Sequence, residues 1–433
     1  MISDILIETF NYLQANYDGQ ELNLAKKSVL ELVVVDHFNY QAQLPCDYTY
    51  VTIQEKLATL NEKESNRKSK GVYYTPIDVV RYIVINSINA MYETKRGLSL
   101  SSSELSKSIP YLSFATKKTV IDPTCGAGEF LLAMLELKFN LLKRHYANVT
   151  EGMILKTVAT IYGNDINFES TTISKIRLFL CAVQYFGVKK CLKVVQILNS
   201  NFTNNDFVTS TPEFNNQFDL FVGNPPYVED GKSGLNPSTK YGNIYANVLI
   251  NSAALLKEGG VMGYVIPLSY VSTPRMGQLR NELMREVPKQ YILNYSDRPD
   301  CLFKSVHQKL CIFIGAKRLN DHAIYTSHYQ FWYKAERDDL FCRTTIVRNN
   351  FGSYYFIPKL GTEFDISIYK KIGLQTTALI DFCGWGKENV YLNMRAAFWI
   401  KAFRTFHYGS EYKKFSFDDG GKANYFMCLV NSS

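Results

Sequence analysis

From about residue 72 onward, short apolar segments with the composition of β-strands alternate with amphipathic segments of helical period. The strand-like segments occupy residues 118–122, 159–166, 217–227 and 260–271. Alternation of this kind builds a doubly wound, mostly parallel sheet with helices on both faces. Ligands of such α/β folds lie beyond the carboxyl ends of the strands, so residues that follow strands are the first candidates for a functional site.

The regions on either side have a different character. Residues 1–67 show helical periodicity and end in a polar, charged run at 61–71. From about residue 336 the alternation gives way to a stretch rich in Phe, Tyr and Trp with basic residues between them. We therefore expect an N-terminal helical segment (1–67), a Rossmann-like α/β domain (68–335) and a smaller C-terminal α+β module (336–433).

Composition narrows the class of protein. The 433 residues are 46% hydrophobic and 20% charged, which is typical of globular rather than disordered chains. The nine cysteines include no C-x-x-C pair and are odd in number, which argues against a zinc site and a disulfide framework and favours a reducing cytoplasm. We find no signal-peptide pattern and no run of roughly 18 apolar residues, so we expect a soluble, cytoplasmic protein without a membrane span. The net charge of +8 is a mild bias toward an anionic partner such as nucleic acid.

The segment DPTCGAGEF, from Asp122 to Phe130, follows the first strand and opens a helix. Gly126 and Gly128 allow the backbone to turn tightly and to approach a ligand closely. The spacing is not G-x-G-x-x-G, and the loop has no Lys-Ser/Thr pair to hold phosphates. It therefore suits a ligand without phosphate, such as an adenosine that carries an amino acid. An ordinary strand-to-helix turn is the alternative.

Two further candidate segments are YGNDI, at the end of the second predicted strand, and GVYYTP, just before a predicted helix. Asp165, in YGNDI, ends the second strand, where a carboxylate accepts both hydroxyls of a ribose or else caps a helix. The segment GVYYTP ends in Thr75 and Pro76, which suit the cap and the first position of the helix that follows. The same segment can also form a second wall for a ligand.

The segment GNPPY is the strongest indication of chemistry. Asn224, Pro225, Pro226 and Tyr227 directly follow the apolar strand FDLFV. The two prolines fix φ and remove two backbone donors, which leaves carbonyl oxygens as acceptors. An amino group donates two hydrogens, and the Asn224 side-chain oxygen and the Pro225 carbonyl can accept both. Tyr227 offers a flat face to a planar group. A plain Pro-Pro turn is the alternative.

In order and spacing, from about residue 68 to 318, these four motifs resemble the gamma-class adenine-N6 DNA methyltransferases of bacterial restriction–modification systems. The resemblance implies S-adenosylmethionine as cofactor and a flipped-out adenine of double-stranded DNA as substrate. It implies that Asn224, Pro225, Pro226 and Tyr227 hold the target adenine. The implied cofactor contacts come from the other three motifs: Tyr74, Thr75, Pro76, Asp122, Pro123, Thr124, Cys125, Gly126, Gly128, Phe130, Asp165 and Ile166.

Two further positions of the family have counterparts outside the four motifs. In the family, an acidic residue followed by Phe lines the pocket for the cofactor's adenine. The segment ILNSNF puts Asn201 and Phe202 there, so the acid is missing. Relatives also press an aromatic side chain against the target base, and Phe303 is the best candidate. In-line transfer of a methyl group depends on positioning and hydrogen bonds, so we expect no metal, no covalent intermediate and no catalytic His or Cys.

Recognition of the DNA sequence is expected from residues 336–433. Candidate phosphate contacts there are Lys401, Arg404, Lys413 and Lys414. In large relatives a segment like NYFMCLVNSS lies inside the recognition domain, so we expect a shortened or split member that needs a partner chain. Two alternatives stay open: a methyltransferase of release-factor glutamine or of RNA, and a catalytically inactive binding subunit of the same fold. We expect no nuclease domain before residue 68.

Overall fold

The computed structural model describes residues 2–41, 48–62, 75–93, 104–107, 109–209, 217–303, 307–318, 320–394, 401–406 and 408–432. The chain divides into two compact units, Met1–Thr362 and Glu363–Ser433. The first unit thus extends beyond residue 335, where the sequence suggested a boundary, because the chain from 336 to 362 includes an edge strand of the first unit's sheet. A role of the remaining residues in target recognition stays a prediction.

The helices of the first unit are α1 (Ile2–Asn16), α2 (Gly19–Val33), α3 (Tyr50–Glu62), α4 (Ile77–Met91), α5 (Tyr111–Lys117), α6 (Glu129–His145), α7 (Glu151–Val158), α8 (Phe168–Phe186), α9 (Cys191–Asn201), α10 (Tyr245–Ala254), α11 (Ser269–Ser272) and α12 (Gly277–Glu286). Its strands are β1 (Val120–Asp122), β2 (Ile161–Asn164), β3 (Phe202–Thr203), β4 (Phe218–Gly223), β5 (Leu256–Pro267), β6 (Lys289–Tyr295), β7 (Leu310–Ala316), β8 (Ala323–Gln330) and β9 (Val347–Arg348).

These strands form a single sheet in the order β3-β2-β1-β4-β5-β7-β6-β8-β9. Neighbours from β3 to β5 are parallel, β7 is antiparallel to both β5 and β6, and β8 is parallel to β6. The carboxyl ends of β1 to β6 and of β8 therefore lie along one edge of the sheet. Every residue of β1 and β4 is buried, as expected of strands whose two faces are both covered. The predicted doubly wound Rossmann-like sheet is confirmed.

The N-terminal helices belong to this unit. Apolar side chains of α1, α2 and α3, such as Leu13, Val29 and Ile53, are fully buried in the same core as residues of α8 and α9. Lys175 of α8 donates to the carbonyl oxygen of Leu32 at 3.0 Å, which ties α2 to α8. The helical segment inferred from periodicity is therefore part of the support for the sheet.

The second unit contains α13 (Glu363–Gly373), α14 (Leu379–Phe382), α15 (Gly420–Asn431) and the strands β10 (Glu388–Asn393), β11 (Ala402–Phe403) and β12 (Tyr412–Phe417). The strands form an antiparallel sheet in the order β11-β10-β12. Val390, Phe417 and Phe426 lie in its small core, in which α15 packs on the sheet. This is the α+β architecture expected for the C-terminal module.

Within the described parts of the chain, none of the helices has the length and apolar character that crossing a membrane requires.

Helix α4 and strand β5 approach each other closely at Gly263. A Cβ at this position would lie 2.0 Å from Ser87 Oγ and 3.0 Å from Ile83 Cγ2, both on α4. This contact therefore sets the distance between α4 and β5.

The change Gly263→Ala is expected to lower the free energy of unfolding by about 1–3 kcal/mol, the usual cost of overpacking, and chemical denaturation measures it. Gly152→Ala is the matched control, because nothing lies within 4 Å of its Cβ position. Since Ala has a higher helix propensity than Gly, the control should not be destabilised. Equal stability of Gly263→Ala and the wild type would contradict this description of the contact between α4 and β5.

Candidate active site

The glycine loop connects β1 to α6 at the carboxyl edge of the sheet. Gly126 has φ of 52° and Gly128 has φ of 82°, in the left-handed region that favours glycine. A Cβ on Gly128 would also lie 2.7 Å from Ser174 Oγ of α8. The Cys125 N–H donates to the carbonyl oxygen of Asn164 at 2.8 Å, which joins the loop to the end of β2.

Asp165, directly after β2, holds the same loop. Its carboxylate accepts the N–H of Gly126 at 2.9 Å and the N–H of Asn167 at 2.8 Å. The carboxylate thereby fixes the backbone on both sides of the carboxyl end of β2. The next residue, Ile166, is 63% exposed although it is apolar. Together they place an acceptor and an apolar surface beside the glycine loop.

Arg177 of α8 supports the loop from the protein interior. Its guanidinium donates to the carbonyl oxygen of Ala127 at 2.6 Å and forms two contacts with the carboxylate of Glu129, at 2.6 and 3.2 Å. Its Nε donates to Gln54 of α3 at 2.9 Å. The N-terminal helices are thereby linked to the glycine loop through one buried cation.

Two ionisable groups of the loop are withdrawn from water. Burial raises the pKa of Asp122 well above its usual range. The N–H of Thr124, 3.1 Å from Oδ1, favours the charged form and lowers the pKa, whereas the nearby charge of Asp165 raises the pKa further. Burial also raises the pKa of the Cys125 thiol, and the charges of Asp165 and Asp122 add to the effect. Cys125 is therefore held as a thiol, a poor nucleophile.

The GNPPY turn lies next to this loop. Strands β1 and β4 are parallel neighbours, with Ile121 paired to Phe221, so Asp122 and Gly223 end side by side. A Cβ on Gly223 would lie only 2.7 Å from Asp122 Oδ1. Asn224 and the three residues after it therefore start at the same point of the edge as the glycine loop. Had the two turns lain on opposite sides of the fold, a shared site would have been impossible.

The Asn224 side chain is contacted at both ends. Its Nδ2 donates to Thr75 Oγ1 at 3.0 Å. Its Oδ1 accepts a hydrogen bond from the Tyr227 hydroxyl, whose oxygen also lies 2.8 Å from the carbonyl oxygen of Val265 in β5. Pro225 is buried, whereas Pro226 and Tyr227 are partly exposed.

Thr75 does not have the local role expected of it. Helix α4 begins at Ile77, so Pro76 occupies the N-cap position, and there is no side-chain cap. The expectation that Thr75 caps a helix beginning at Pro76 is wrong, because the threonine hydroxyl contacts Asn224 instead. Tyr74 lies outside the described residues.

Asn201 and Phe202 are not brought to the site. The Asn201 amide donates to the carbonyl oxygens of Ala159 and Ile161, at 3.2 and 3.0 Å, where β2 begins. The Phe202 ring lies over Gly163, where a Cβ would meet it at 2.3 Å. Both side chains stabilise the pairing of β3 with β2.

The segment beyond β3 reaches the site instead. Asn204 donates to the carbonyl oxygen of Asp165 at 3.0 Å, and the carbonyl oxygen of Asn205 accepts from Asn164 Nδ2 at 3.0 Å. Asp206 and Phe207 follow at once, and the Asp206 carboxylate accepts the N–H of Val208 at 2.9 Å. The order acid then Phe also occurs in this segment, NNDF, which the sequence analysis did not consider.

Several other predicted residues are core residues. Phe130 is 2% exposed and Phe303 is 1% exposed, and both belong to the main hydrophobic cluster. Pro123 is buried, and its carbonyl oxygen accepts from Asn164 Nδ2 at 2.9 Å. Within the described ranges, no group of three or more His, Cys, Asp or Glu side chains is arranged to hold a metal ion.

Comparison with known proteins agrees with these motifs. Residues 159–299 match the Eco57I restriction-modification methylase family. The chain is 25% identical to the type II methyltransferase M.BanIII of Aneurinibacillus aneurinilyticus over 296 aligned residues. The alignment covers 65% of this chain and 44% of M.BanIII. The resemblance to restriction–modification methyltransferases is confirmed. The matched segment contains both Asp165 and the GNPPY turn.

A solved structure shares the fold. The chain superposes on LlaBIII, an ATP-dependent Type ISP restriction-modification enzyme solved bound to DNA, with a TM-score of 0.52 and 16% identity, over 90% of this chain and 30% of that one. The chain thus spans less than half the length of M.BanIII and less than a third of LlaBIII.

The change Arg177→Met is expected to lower the free energy of unfolding by about 3–5 kcal/mol, since it leaves the Glu129 carboxylate buried and unpaired. The side chains of Arg177 and Glu129 are only 4% and 13% exposed. Denaturant unfolding measures the loss. The double variant Arg177→Met/Glu129→Leu should recover part of it, because both charges are then gone. A single variant as stable as the wild type would show that the ion pair does not support the loop.

Proposed function

We propose that this chain is a site-specific methyltransferase that transfers a methyl group from S-adenosylmethionine to the exocyclic amino group of adenine in double-stranded DNA. The observation that carries the proposal is the adjacency of two turns. Asn224, an amide with an acceptor oxygen, begins where Gly223 touches Asp122, the first residue of the glycine loop. The proposal further assigns the protein to modification within a restriction–modification system.

The residues present fit S-adenosylmethionine. Gly126 and Gly128 form a turn that a ligand can approach closely, and Ile166 presents an exposed apolar surface to a planar adenine. Thr124 Oγ1 is buried and has no hydrogen-bond partner among the described residues, so it is available to a polar group of the ligand. When bound, the cofactor supplies an electrophilic methyl group on a sulfonium.

The proposal assigns the cofactor to three segments. Asp122 and the 124–128 backbone hold the amino-acid part, and Asp165 accepts the ribose hydroxyls. Asp206 takes the place next to the adenine that the sequence suggested for an acid at Asn201, whereas Phe207 is a core residue, 2% exposed. Thr75 and Pro76 of the Y-T-P segment form the opposite wall.

Asn224 and Pro225 account for the chemistry. The two hydrogens of the adenine amino group donate to Asn224 Oδ1 and to the Pro225 carbonyl oxygen, which orients the nitrogen lone pair toward the methyl group. Tyr227 provides a flat face for the base, which must leave the duplex to reach the site. Positioning of this kind is the main contribution a protein can make to an in-line displacement.

Recognition of the DNA sequence is proposed for the second unit, with help from a partner chain. Lys413 and Lys414 of β12 are exposed and available to phosphates. Arg404 is ion-paired with Glu388, so a phosphate contact from it requires the pair to open. The presence of DNA in the LlaBIII structure is consistent with a DNA partner for the shared fold.

The affinity for S-adenosylmethionine is expected to rise with pH above the range in which a carboxyl group usually titrates, until Asp122 is ionised. The raised pKa of Asp122 keeps this carboxyl protonated above its usual range, and a cationic ligand binds the charged form better. Binding should therefore release a proton, and the affinity should level off above the folded-state pKa. Calorimetry in buffers of different ionisation enthalpy measures both effects. Asp122→Asn should bind weakly and without this pH dependence; a wild-type affinity that is flat over the range would contradict the assignment.

The change Asn224→Ala is expected to lower methyl transfer to DNA by roughly 10²–10³-fold, the usual cost of removing a preorganised transition-state contact, and to leave cofactor affinity unchanged. The measurement is N6-methyladenine in DNA, by mass spectrometry with the purified chain and by methylome sequencing of cells that express it. Asn140→Ala, on the outer face of α6, is the matched control.

Other outcomes of the same experiment decide between the alternatives. Methyl transfer to release factor or RNA but not to DNA would replace the substrate. Cofactor binding without methyl transfer, both by the purified chain and in cells that express it, would favour a binding subunit. Efficient methylation of one defined sequence by the purified chain would exclude the need for a partner.

A further inference from the structure

A buried asparagine at the carboxyl end of β2 contacts the chain after both neighbouring strands, β1 and β3. Asn164 is 1% exposed. Its Nδ2 donates to the carbonyl oxygen of Pro123 at 2.9 Å and to the carbonyl oxygen of Asn205 at 3.0 Å. Its Oδ1 accepts the N–H of Asn205 at 3.0 Å and the hydroxyl of Thr203 at 2.8 Å. One side chain thus joins two segments that lie on opposite sides of its strand.

The partners of this amide select one rotation of it. The carbonyl oxygens of Pro123 and Asn205 can only accept a hydrogen bond, and the backbone N–H of Asn205 can only donate one. Half a turn of the amide would place its oxygen against two carbonyl oxygens and its NH2 against an N–H. In the observed rotation both hydrogens of the NH2 group are donated to backbone, so the Asn164 side chain holds the protein rather than a ligand.

The position of Asn164 in the sheet explains why a side chain makes these contacts. Asn164 is the last residue of β2, whereas Pro123 and Asn205 lie beyond the ends of β1 and β3. Backbone groups at such a place still require hydrogen-bond partners after the regular ladder has ended. A side-chain amide carries the same donor and acceptor as a peptide unit. Asn164 therefore continues the hydrogen bonding of the sheet one step past its strands.

The main chain next to this side chain adds further links. The carbonyl oxygen of Asn164 accepts the N–H of Cys125 at 2.8 Å. The following residue, Asp165, accepts the N–H of Gly126 at 2.9 Å and donates its own N–H to the carbonyl oxygen of Thr203 at 3.3 Å. The glycine loop and the chain after β3 are therefore both attached to the end of β2.

The two attached segments are those proposed for opposite ends of the cofactor. Pro123 comes directly before the 124–128 backbone, which the proposed function assigns to the amino-acid part. Asn205 comes directly before Asp206, which it assigns to the place next to the adenine. A residue that links Pro123 to Asn205 sets the distance between these two parts of the site.

We propose that Asn164 is a positioning residue that holds the two halves of the S-adenosylmethionine site at a fixed spacing. The inference rests on the proposed function. A ligand that spans both segments binds more tightly when their spacing is already set, because binding then requires no further ordering of the chain. A ligand that contacts one of the segments gains much less. Loss of the amide should therefore weaken S-adenosylmethionine far more than a fragment of it.

The test compares Asn164→Ala, which removes the amide, with Asn164→Asp, which keeps its shape but loses the two donated hydrogens. Asn201→Ala is the matched control, because that buried amide also donates to two carbonyl oxygens, at the opposite end of β2. The measurements are the dissociation constants of S-adenosylmethionine and of methylthioadenosine, which lacks the amino-acid part. We expect both Asn164 variants to bind S-adenosylmethionine roughly 10–100-fold more weakly and methylthioadenosine less than about threefold more weakly.

The ratio of the two dissociation constants separates positioning from support of the fold. A residue that acts on stability alone would leave this ratio unchanged, as we expect for Asn201→Ala. An equal loss of affinity for both ligands in the Asn164 variants would overturn the proposal. Wild-type affinity for S-adenosylmethionine in both variants would also overturn it. If Asn164→Ala does not fold, Asn164→Asp provides the same comparison.

A second readout requires no ligand. The N–H groups of Asn205 and Cys125 both donate to Asn164, one to the side chain and one to the main chain. Their hydrogen exchange, followed by NMR, should be slow in the wild type and about tenfold or more faster in Asn164→Ala. It should be unchanged in Asn201→Ala. Wild-type exchange of both N–H groups in Asn164→Ala would show that Asn164 does not join the two segments.

Failure of the proposed function gives a different result. A wild type that binds S-adenosylmethionine but methylates no DNA would contradict the proposed function, while the affinity ratio would still decide the role of Asn164. A wild type that binds no S-adenosylmethionine would overturn both proposals. The exchange measurement would then still show whether Asn164 connects the glycine loop to the chain after β3.

Discussion

The parallel pairing of β1 with β4 is the constraint on which the candidate site depends. The two strands are separated by almost a hundred residues, yet their register puts Ile121 opposite Phe221 and brings Asp122 against Gly223. Because both strands are short and buried, the chain must turn at nearly the same point of the edge. A glycine loop and a proline-rich turn that are unrelated in sequence become the two sides of one site. Gly223 is required here for a steric reason, since any side chain would displace the Asp122 carboxylate.

Several ionisable side chains are buried around the glycine loop. Asp122 and Cys125 are buried, and burial shifts the pKa of each toward the uncharged form. Arg177 and Glu129 are also nearly excluded from water, but they neutralise each other, and Arg177 donates to the loop carbonyl of Ala127. The candidate site thus contains one buried acid, Asp122, while the ion pair of Arg177 and Glu129 holds the neighbouring backbone. Such preorganised, poorly hydrated surroundings strengthen each hydrogen bond to a ligand.

The sequence alone was sufficient to predict the features of the fold that depend on local pattern. Strand–helix alternation predicted the sheet, and residues after strands predicted its active edge. What it missed depends on pairing across the sheet. Asn201 and Asp206 both stand near β3, and only the register of Phe202 with Gly163 shows that the first precedes the edge and the second lies beyond it. Thr75 has a side chain that suits a helix cap, and its contact with Asn224 is long-range. The link from α3 through Gln54 to Arg177 joins segments that no local pattern relates.

Two fixed oxygens do not by themselves identify adenine as the substrate. They accept from any planar group with an NH2, which includes cytosine and the side chain of glutamine, and they reject a keto group. This is the physical reason why the same turn suits methyltransferases of different substrates.

Discrimination between adenine and other amino substrates must come from the surfaces that contact the ring and from the part of the protein that delivers the substrate to the turn. Tyr227 offers one such surface, while Phe303 is 1% exposed and so has no free face for a base in this arrangement. For Phe303 to stack on a flipped base, the segment that carries it must move, and Arg337, which binds the Leu302 carbonyl, opposes that movement. Under the proposed function, such a movement would also strain the contact of Arg337 with Asp78 of α4.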